Sequence, residues 1–341
     1  MWLPTRILSF TEEPHDGLGA PRAQRGGRRG EVPRSGLCGT FRLMKLAAVF
    51  PPMATPFDND DVDERAIAGN VERWVKAGVG GVVALGSNGE APLLDEAESD
   101  RVLGAARRAL GRGPLLIAGT GRESTRATIA ASRRAAQSGA DAVLVRTPSY
   151  YKTRMTPDAF VGHYTAVADA CPVPVLLYNY PAVTGVNLTP DTVGRLAEHP
   201  NIIGMKETGT DTAQFAAFVA AAPASFAVMA GSAPVFYPWL CVGATGGILA
   251  VACVVPEACV LLLEQATAGR HEAARALQRE LTPLARLVTT GYGVPGLKVA
   301  MDLGGYIGGD PRAPLQPLAS SAIEQIRVEL NRVQKVCEQY A

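Results

Sequence analysis

The sequence predicts an α/β fold, a (β/α)8 TIM barrel with a C-terminal helical extension. Eight short apolar runs recur from Leu46 onward, and stretches of helical periodicity lie between them. The runs are continuously apolar and do not alternate with polar residues, which is typical of parallel strands buried on both faces. Eight strand–helix units fit a closed parallel barrel of ordinary size.

The predicted strands cover residues 46–53, 81–86, 115–120, 142–148, 173–179, 202–207, 226–232 and 243–251. Helices are predicted over 63–77, 95–110, 124–138 and 157–170, where acidic first turns or an entry proline favour a helix start. An open doubly wound sheet is the alternative. Such a sheet normally has fewer strands and often a glycine-rich phosphate turn, and neither GxGxxG nor a P-loop follows any of the predicted strands.

Three regions are expected along the chain. Residues 1–43 are rich in Arg and Gly and lack apolar periodicity, so we predict a disordered extension. This segment is interpreted as a solvated tail, an over-long start upstream of Met44, or a transit peptide, although its acidic residues speak against the last. Residues 44–255 are predicted to form the barrel. Residues 256–341 are predicted as helices packed on it, with amphipathic patterns over 271–289 and 320–337.

Composition excludes several classes of function. The chain has 341 residues, a net charge of +1, 47% hydrophobic and 19% charged residues, so we expect no nucleic-acid partner and no membrane association. No apolar run is long enough for a transmembrane helix. Four scattered histidines and six cysteines without a CxxC pair predict no metal, no cofactor and reduced thiols. The expected location is cytoplasmic, or mitochondrial if residues 1–43 are a transit peptide.

Polar residues at the ends of predicted strands are the candidate site, because barrel enzymes place their chemistry there. Lys206, one of only six lysines, follows an apolar strand. Burial would lower its pKa, and a neutral amine can attack a carbonyl to form an imine. The alternative is a lysine that extends to solvent or pairs with Glu207.

Two further strand ends carry candidates. Tyr178 could pass protons during imine formation, or could be a core aromatic whose hydroxyl finds a partner. Ser87 and Asn88 lie between Gly86 and Gly89, where backbone N–H groups could cradle an anion, although the same residues also make an ordinary turn.

Taken together, these segments resemble the dihydrodipicolinate synthase / N-acetylneuraminate lyase family from about Lys45 to Leu318. The matching pieces are Thr55-Pro56-Phe57, Gly86–Glu90 with Leu94 and Glu98, Thr147-Pro148 with Tyr150, Tyr178-Asn179-Tyr180-Pro181 with Thr184-Gly185, and Gly204-Met205-Lys206-Glu207.

The resemblance implies a class I carbon–carbon lyase without a cofactor, acting on a small 2-oxo acid as a homo-oligomer, a dimer or tetramer. It implies that Lys206 is the Schiff-base lysine, Tyr178 the proton shuttle and Ser87 a hydroxyl relay. Tyr150 would enter the site of a neighbouring subunit. Gly86, Ser87, Asn88 and Ile248 are the expected substrate contacts.

The subfamily is narrowed by departures from the synthase pattern. Dihydrodipicolinate synthases usually carry Gly-Thr-Thr-Gly-Glu and an arginine where this chain has Val183, and valine cannot hold a carboxylate. Other segments resemble 4-hydroxy-2-oxoglutarate aldolases, among them 293–298 and 312–316.

We therefore predict cleavage of 4-hydroxy-2-oxoglutarate to pyruvate and glyoxylate, or a related reaction on a 2-keto-3-deoxy sugar acid. One rival is the synthase itself, with Arg122 or Arg154 as the substituting cation. The other rival is a non-enzymatic 2-oxo acid sensor.

Overall fold

The computed structural model describes residues 44–338, and within them eight parallel strands form one sheet. The sheet order is β1-β10-β9-β8-β7-β6-β5-β4. Its strands are β1 (Val49–Phe50), β4 (Gly81–Ala84), β5 (Leu115–Gly119), β6 (Ala142–Arg146), β7 (Val175–Asn179), β8 (Ile202–Glu207), β9 (Ala227–Ala230) and β10 (Gly246–Ile248). Each of the eight predicted runs contains one of these strands.

The sheet closes on itself between its first and last members. Pro52 bridges Val83 in parallel, the Met53 N–H donates to the Val83 carbonyl at 3.0 Å, and the Val83 N–H donates to the Pro51 carbonyl at 2.9 Å. Helices lie between the strands, so the predicted (β/α)8 barrel with C-terminal helices is confirmed.

A small hairpin was not predicted. Strands β2 (Phe57–Asp58) and β3 (Asp61–Val62) pair antiparallel. Asn59 and Asp60 between them have φ of 49° and 66°, the left-handed pair that a tight two-residue hairpin requires. Strands of two residues are too short to give a periodic signal, which is why the pattern missed them.

The four helices predicted from the sequence each begin within one residue of the expected start. Asp63, Asp95 and Ser124 each accept a backbone N–H in the first turn of the helix that follows. The helices are α1 (Glu64–Lys76), α2 (Glu96–Leu110), α3 (Thr125–Gln137), α4 (Pro157–Ala170), α5 (Pro181–Thr184), α6 (Pro190–Ala197), α7 (Thr212–Ala221), α8 (Phe236–Cys241), α9 (Pro256–Thr267), α10 (His271–Arg286), α11 (Gly293–Leu303) and α12 (Ser320–Glu338).

One of the predicted C-terminal helices ends earlier than expected. The helix predicted over 271–289 is α-helical only to Arg286, and a π-helical stretch, Leu287–Gly291, follows it. There the Tyr292 N–H donates to the Leu287 carbonyl five residues back, at 2.8 Å. Gln278 on α10 donates to the Ala233 carbonyl at 2.9 Å, which fixes α10 beside the start of α8.

The helices of residues 44–338 include none that is long and apolar enough to cross a membrane. The predicted extension, residues 1–43, lies outside the described residues. The division of the chain at residues 43 and 255 stays a prediction.

Candidate active site

Lys206 lies on β8 with its side chain inside the barrel and only 5% exposed. Gly231 leaves the space for it: a Cβ there would lie 2.9 Å from Lys206 Cε and 2.1 Å from Thr208 Oγ1. Burial lowers the pKa of the Lys206 amine from 10.5 to about 7. A large fraction of the amine is therefore neutral, and nucleophilic, at neutral pH.

Neither structural alternative for Lys206 fits this arrangement. The side chain is buried and does not extend to solvent, and within residues 44–338 it forms no ion pair. Glu207, the next residue on the strand, points to the other face. Its carboxylate accepts from Asn179 Nδ2 at 2.6 Å, and burial raises its pKa to about 7.

Tyr178 lies directly beside Lys206, because the two residues are in register on β7 and β8. Lys206 Nζ is 4.4 Å from the centroid of the Tyr178 ring. Tyr178 Oη is 3.4 Å from Ser87 Oγ, and either hydroxyl can donate. Burial raises the pKa of Tyr178, so its phenol is protonated at neutral pH. Tyr180 stacks on the Tyr178 ring with centroids 5.9 Å apart.

A cavity of about 430 Å³ opens beside these groups, within the size range of small-molecule sites. Gly86, Ser87 and Tyr178 are part of its lining. Lys206 is not in the lining, but its Nζ lies 4.4 Å from the centroid of the Tyr178 ring. The structure thus brings four predicted residues together. Three other predicted residues are not in the lining: half-buried Asn88 in the adjoining turn, fully buried Ile248 on β10 and exposed Tyr150.

The turn that carries Ser87 and Asn88 is fastened from behind. Thr55 Oγ1 donates to the Gly89 carbonyl at 2.8 Å. Glu90, at a left-handed φ of 56°, is buried and its Oε1 is 3.1 Å from the Lys298 amine. Its Oε2 accepts the Arg312 N–H at 3.1 Å. A buried ion pair therefore holds the predicted anion cradle to the C-terminal region.

Arg312 extends this attachment. It binds both carboxylate oxygens of Glu98, at 2.8 and 2.7 Å, and donates to the Leu93 carbonyl at 3.0 Å. Its guanidinium also lies 4.1 Å from the Phe57 ring centroid. The sequence identified 293–298 and 312–316 only as similar segments. The structure gives them a place, because Lys298 and Arg312 hold the loop that follows β4.

Tyr150 lies away from the cavity of its own chain. It is 77% exposed and is absent from the lining. Its backbone N–H and that of Ser149 donate to Glu123 Oε2, at 2.8 and 2.7 Å. The tyrosine is thus held at the surface on an ordered loop.

Sequence reasoning passed over four charged cavity residues, Asp95, Glu96, Glu123 and Arg146, and understated a fifth, Arg122. Glu123 and Arg146 line the cavity and bind each other at 2.8 Å. Arg122 also lines it, although it was considered only as a cation that a synthase would need. Their positions at strand ends were a signal in the sequence, since Arg122 follows β5 and Arg146 is the last residue of β6. Arg154, the other cation considered, is exposed and is not in the lining.

Known proteins match this sequence and fold. The model of the dihydrodipicolinate synthetase family matches residues 45–333. This chain belongs to that family. It is accordingly an enzyme, a lyase of the class I aldolase type.

Individual relatives carry two different activities in their names. A 4-hydroxy-tetrahydrodipicolinate synthase of Exiguobacterium sp. is 36% identical over 278 residues, which is 81% of this chain and 94% of that one. A probable mitochondrial 4-hydroxy-2-oxoglutarate aldolase of Emericella nidulans is 39% identical over 269 residues, 77% of this chain and 87% of that one.

Among solved structures, a chloride-inhibited dihydrodipicolinate synthase from Acinetobacter baumannii, complexed with pyruvate, superimposes with a TM-score of 0.79. It is 31% identical, and the match covers 84% of this chain and 98% of that one.

Proposed function

We propose that this enzyme cleaves 4-hydroxy-2-oxoglutarate into pyruvate and glyoxylate through an imine on Lys206. One observation carries the proposal: a buried amine with a pKa of about 7 lies 4.4 Å from the ring of a buried phenol. An amine that only bound an anion would gain nothing from losing its charge, whereas an amine that attacks a ketone must be neutral.

The proposed reaction starts with attack of Lys206 Nζ on the C2 ketone. Tyr178 donates a proton to the departing hydroxyl, and water leaves to give an iminium ion. Loss of the C4 hydroxyl proton then breaks the C3–C4 bond, and its electron pair moves into the iminium. Glyoxylate departs, C3 of the enamine takes up a proton, and hydrolysis returns the amine and pyruvate.

Ser87 supports this sequence as a relay, because its hydroxyl is within 3.4 Å of the Tyr178 hydroxyl. It can return a proton to the phenol after each transfer. The turn with Gly86, Ser87 and Asn88 would take the C1 carboxylate of the 2-oxo acid through backbone N–H groups. Ile248 is fully buried on β10 and is not in the cavity lining, so nothing in the geometry supports its expected substrate contact.

The choice of aldolase over synthase rests on Val183. This residue is 60% exposed at the position where the synthases carry an arginine for the semialdehyde carboxylate, and it offers no charge. The similarity to the Emericella nidulans aldolase supports the same choice, while the similarity to the Exiguobacterium synthase keeps the rival reaction in the test.

Borohydride reduction in the presence of pyruvate tests the chemistry. We expect a reduced adduct on Lys206 by mass spectrometry, and none in Lys206→Ala, which should fold but not turn over. Lys76→Ala, an exposed lysine in the last turn of α1, is the matched control and should behave as wild type. An unlabelled Lys206 would favour the sensor hypothesis. Faster condensation of pyruvate with aspartate semialdehyde than cleavage of 4-hydroxy-2-oxoglutarate would identify the synthase.

We also propose that the enzyme is an oligomer in which Tyr150 completes a neighbouring subunit's site. The exposed, backbone-anchored position of this tyrosine supports the assignment. Mixing inactive Lys206→Ala and Tyr150→Ala subunits should restore about a quarter of wild-type activity, because half of randomly formed dimers would contain one intact site of two. No recovery after subunit exchange, verified by mass spectrometry, would place Tyr150 in its own subunit's site or outside catalysis.

A further inference from the structure

The cavity beside Lys206 has a wall of charged residues that imine formation on pyruvate does not need. Arg122 follows β5 and Arg146 ends β6, and both line the cavity with Ser87 and Tyr178. Three carboxylates, Asp95, Glu96 and Glu123, line it as well.

The carboxylates of this wall already have partners. Glu123 binds the Arg146 guanidinium at 2.8 Å and two backbone N–H groups of the following loop. Asp95 caps α2 by accepting the Glu98 N–H at 2.8 Å. Glu96 pairs with Arg134. None of the three forms an ion pair or a hydrogen bond with Arg122.

Arg122 has no such carboxylate. Within residues 44–338 its guanidinium forms a single hydrogen bond, to the Gly121 carbonyl at 3.1 Å. Burial lowers its pKa, followed by repulsion from Arg134 and, more weakly, Arg146, while Glu96 opposes this. An arginine nevertheless keeps its charge in proteins. The cavity wall thus holds a half-buried cation with unused donors.

The backbone of Arg122 is fixed in place. The hydroxyl oxygen of buried Thr128 accepts the Arg122 N–H at 3.0 Å, and the same oxygen lies 3.2 Å from the Arg122 carbonyl oxygen. Gly121 permits a close approach to the next strand, since a Cβ at this position would lie 2.5 Å from the backbone nitrogen of Arg146. The backbones at Arg122 and Arg146 are therefore held close together before any ligand arrives, which limits the ordering cost of binding to the side chains.

We propose that Arg122, with Arg146 beside it, binds the second carboxylate of a dicarboxylic 2-oxo acid, the end of the substrate that leaves as the aldehyde acid. The proposal rests on the imine chemistry assigned above and names the substrate class for that site. A guanidinium fork matches a carboxylate with two parallel hydrogen bonds. Neutral hydroxylated chains, such as those of sugar acids, would leave this charge unmatched.

Two substrates that differ only at this end provide the test. 4-Hydroxy-2-oxoglutarate ends in a carboxylate, and 4-hydroxy-2-oxopentanoate has a methyl group there. We expect wild type to prefer the first. Arg122→Gln should lower kcat/KM for the dicarboxylate by about 10- to 100-fold, as expected for losing hydrogen bonds to a charged group. It should lower kcat/KM for the methyl compound less than threefold.

Two further variants sharpen the comparison. Arg122→Lys keeps the charge without the fork and should fall between wild type and Arg122→Gln. Arg126→Gln, at an exposed position on α3, should behave as wild type with both substrates. Thermal melting and borohydride trapping of pyruvate on Lys206 should be the same in all four proteins, which shows that the fold and the amine are intact.

The failures are distinguishable. Equal loss for both substrates in Arg122→Gln, or no preference for the dicarboxylate in wild type, would overturn the Arg122 subsite while pyruvate trapping leaves the imine chemistry standing. A wild-type enzyme that traps no pyruvate on Lys206 would instead overturn the proposed function, and the subsite with it.

Discussion

Replacing Lys206 with methionine should abolish turnover and at the same time stabilise the fold. The lysine is 5% exposed, and no carboxylate of residues 44–338 pairs with it. Burying the charged form of this amine therefore costs folding free energy. A methionine is similar in length but uncharged, so it would not carry this cost.

The size of this effect follows from the pKa. Lowering the Lys206 pKa from 10.5 to about 7 corresponds to about 5 kcal/mol at 1.36 kcal/mol per pKa unit. Solvent relaxation around the charged form reduces the effective penalty, and we expect about 2–4 kcal/mol. The unfolded chain binds this proton more tightly than the native state. The penalty is therefore full below pH 7, shrinks as the pH rises toward 10.5, and vanishes above it.

Differential scanning calorimetry of wild type and Lys206→Met at pH 6 and pH 10 measures this effect. Protein concentration and ionic strength must be the same in all samples, because assembly also changes Tm. We expect Tm of the variant to exceed wild type by about 4–10 °C at pH 6 and by little at pH 10. A Tm difference that is the same at both pH values, or a variant less stable than wild type at pH 6, would refute the reasoning.

Two other predictions concern the same region. Lys298→Met should lower Tm, since it removes one partner of a buried ion pair and leaves Glu90 uncompensated, at a cost of about 3–5 kcal/mol. The double variant with Glu90→Gln should recover part of the loss, and a double variant no more stable than Lys298→Met would show that the pair is not coupled. The rate of borohydride trapping of pyruvate should rise between pH 6 and pH 8, because only neutral Lys206 attacks and its pKa is about 7. A flat rate over this range would mean that the amine titrates elsewhere.

The sequence by itself determined the class of fold. Continuous apolar runs mark strands buried on both faces, and acidic first turns and an entry proline mark helix starts. These signals are local, because a strand or a helix start depends on residues within a few positions of one another. The placement of Lys206 and Tyr178 at the ends of adjacent strands followed from the same local pattern.

Only the tertiary structure decided what these residues meet. The sequence alone allowed Lys206 to pair with Glu207. In the folded barrel, Gly231 and Tyr178 lie around its side chain instead. The closed sheet brings together positions that are remote in the chain. Glu90 therefore forms an ion pair with Lys298, whereas Arg122 has no carboxylate partner among residues 44–338. Burial and pKa depend on the whole set of neighbours, and a linear pattern does not contain distances between residues far apart in sequence.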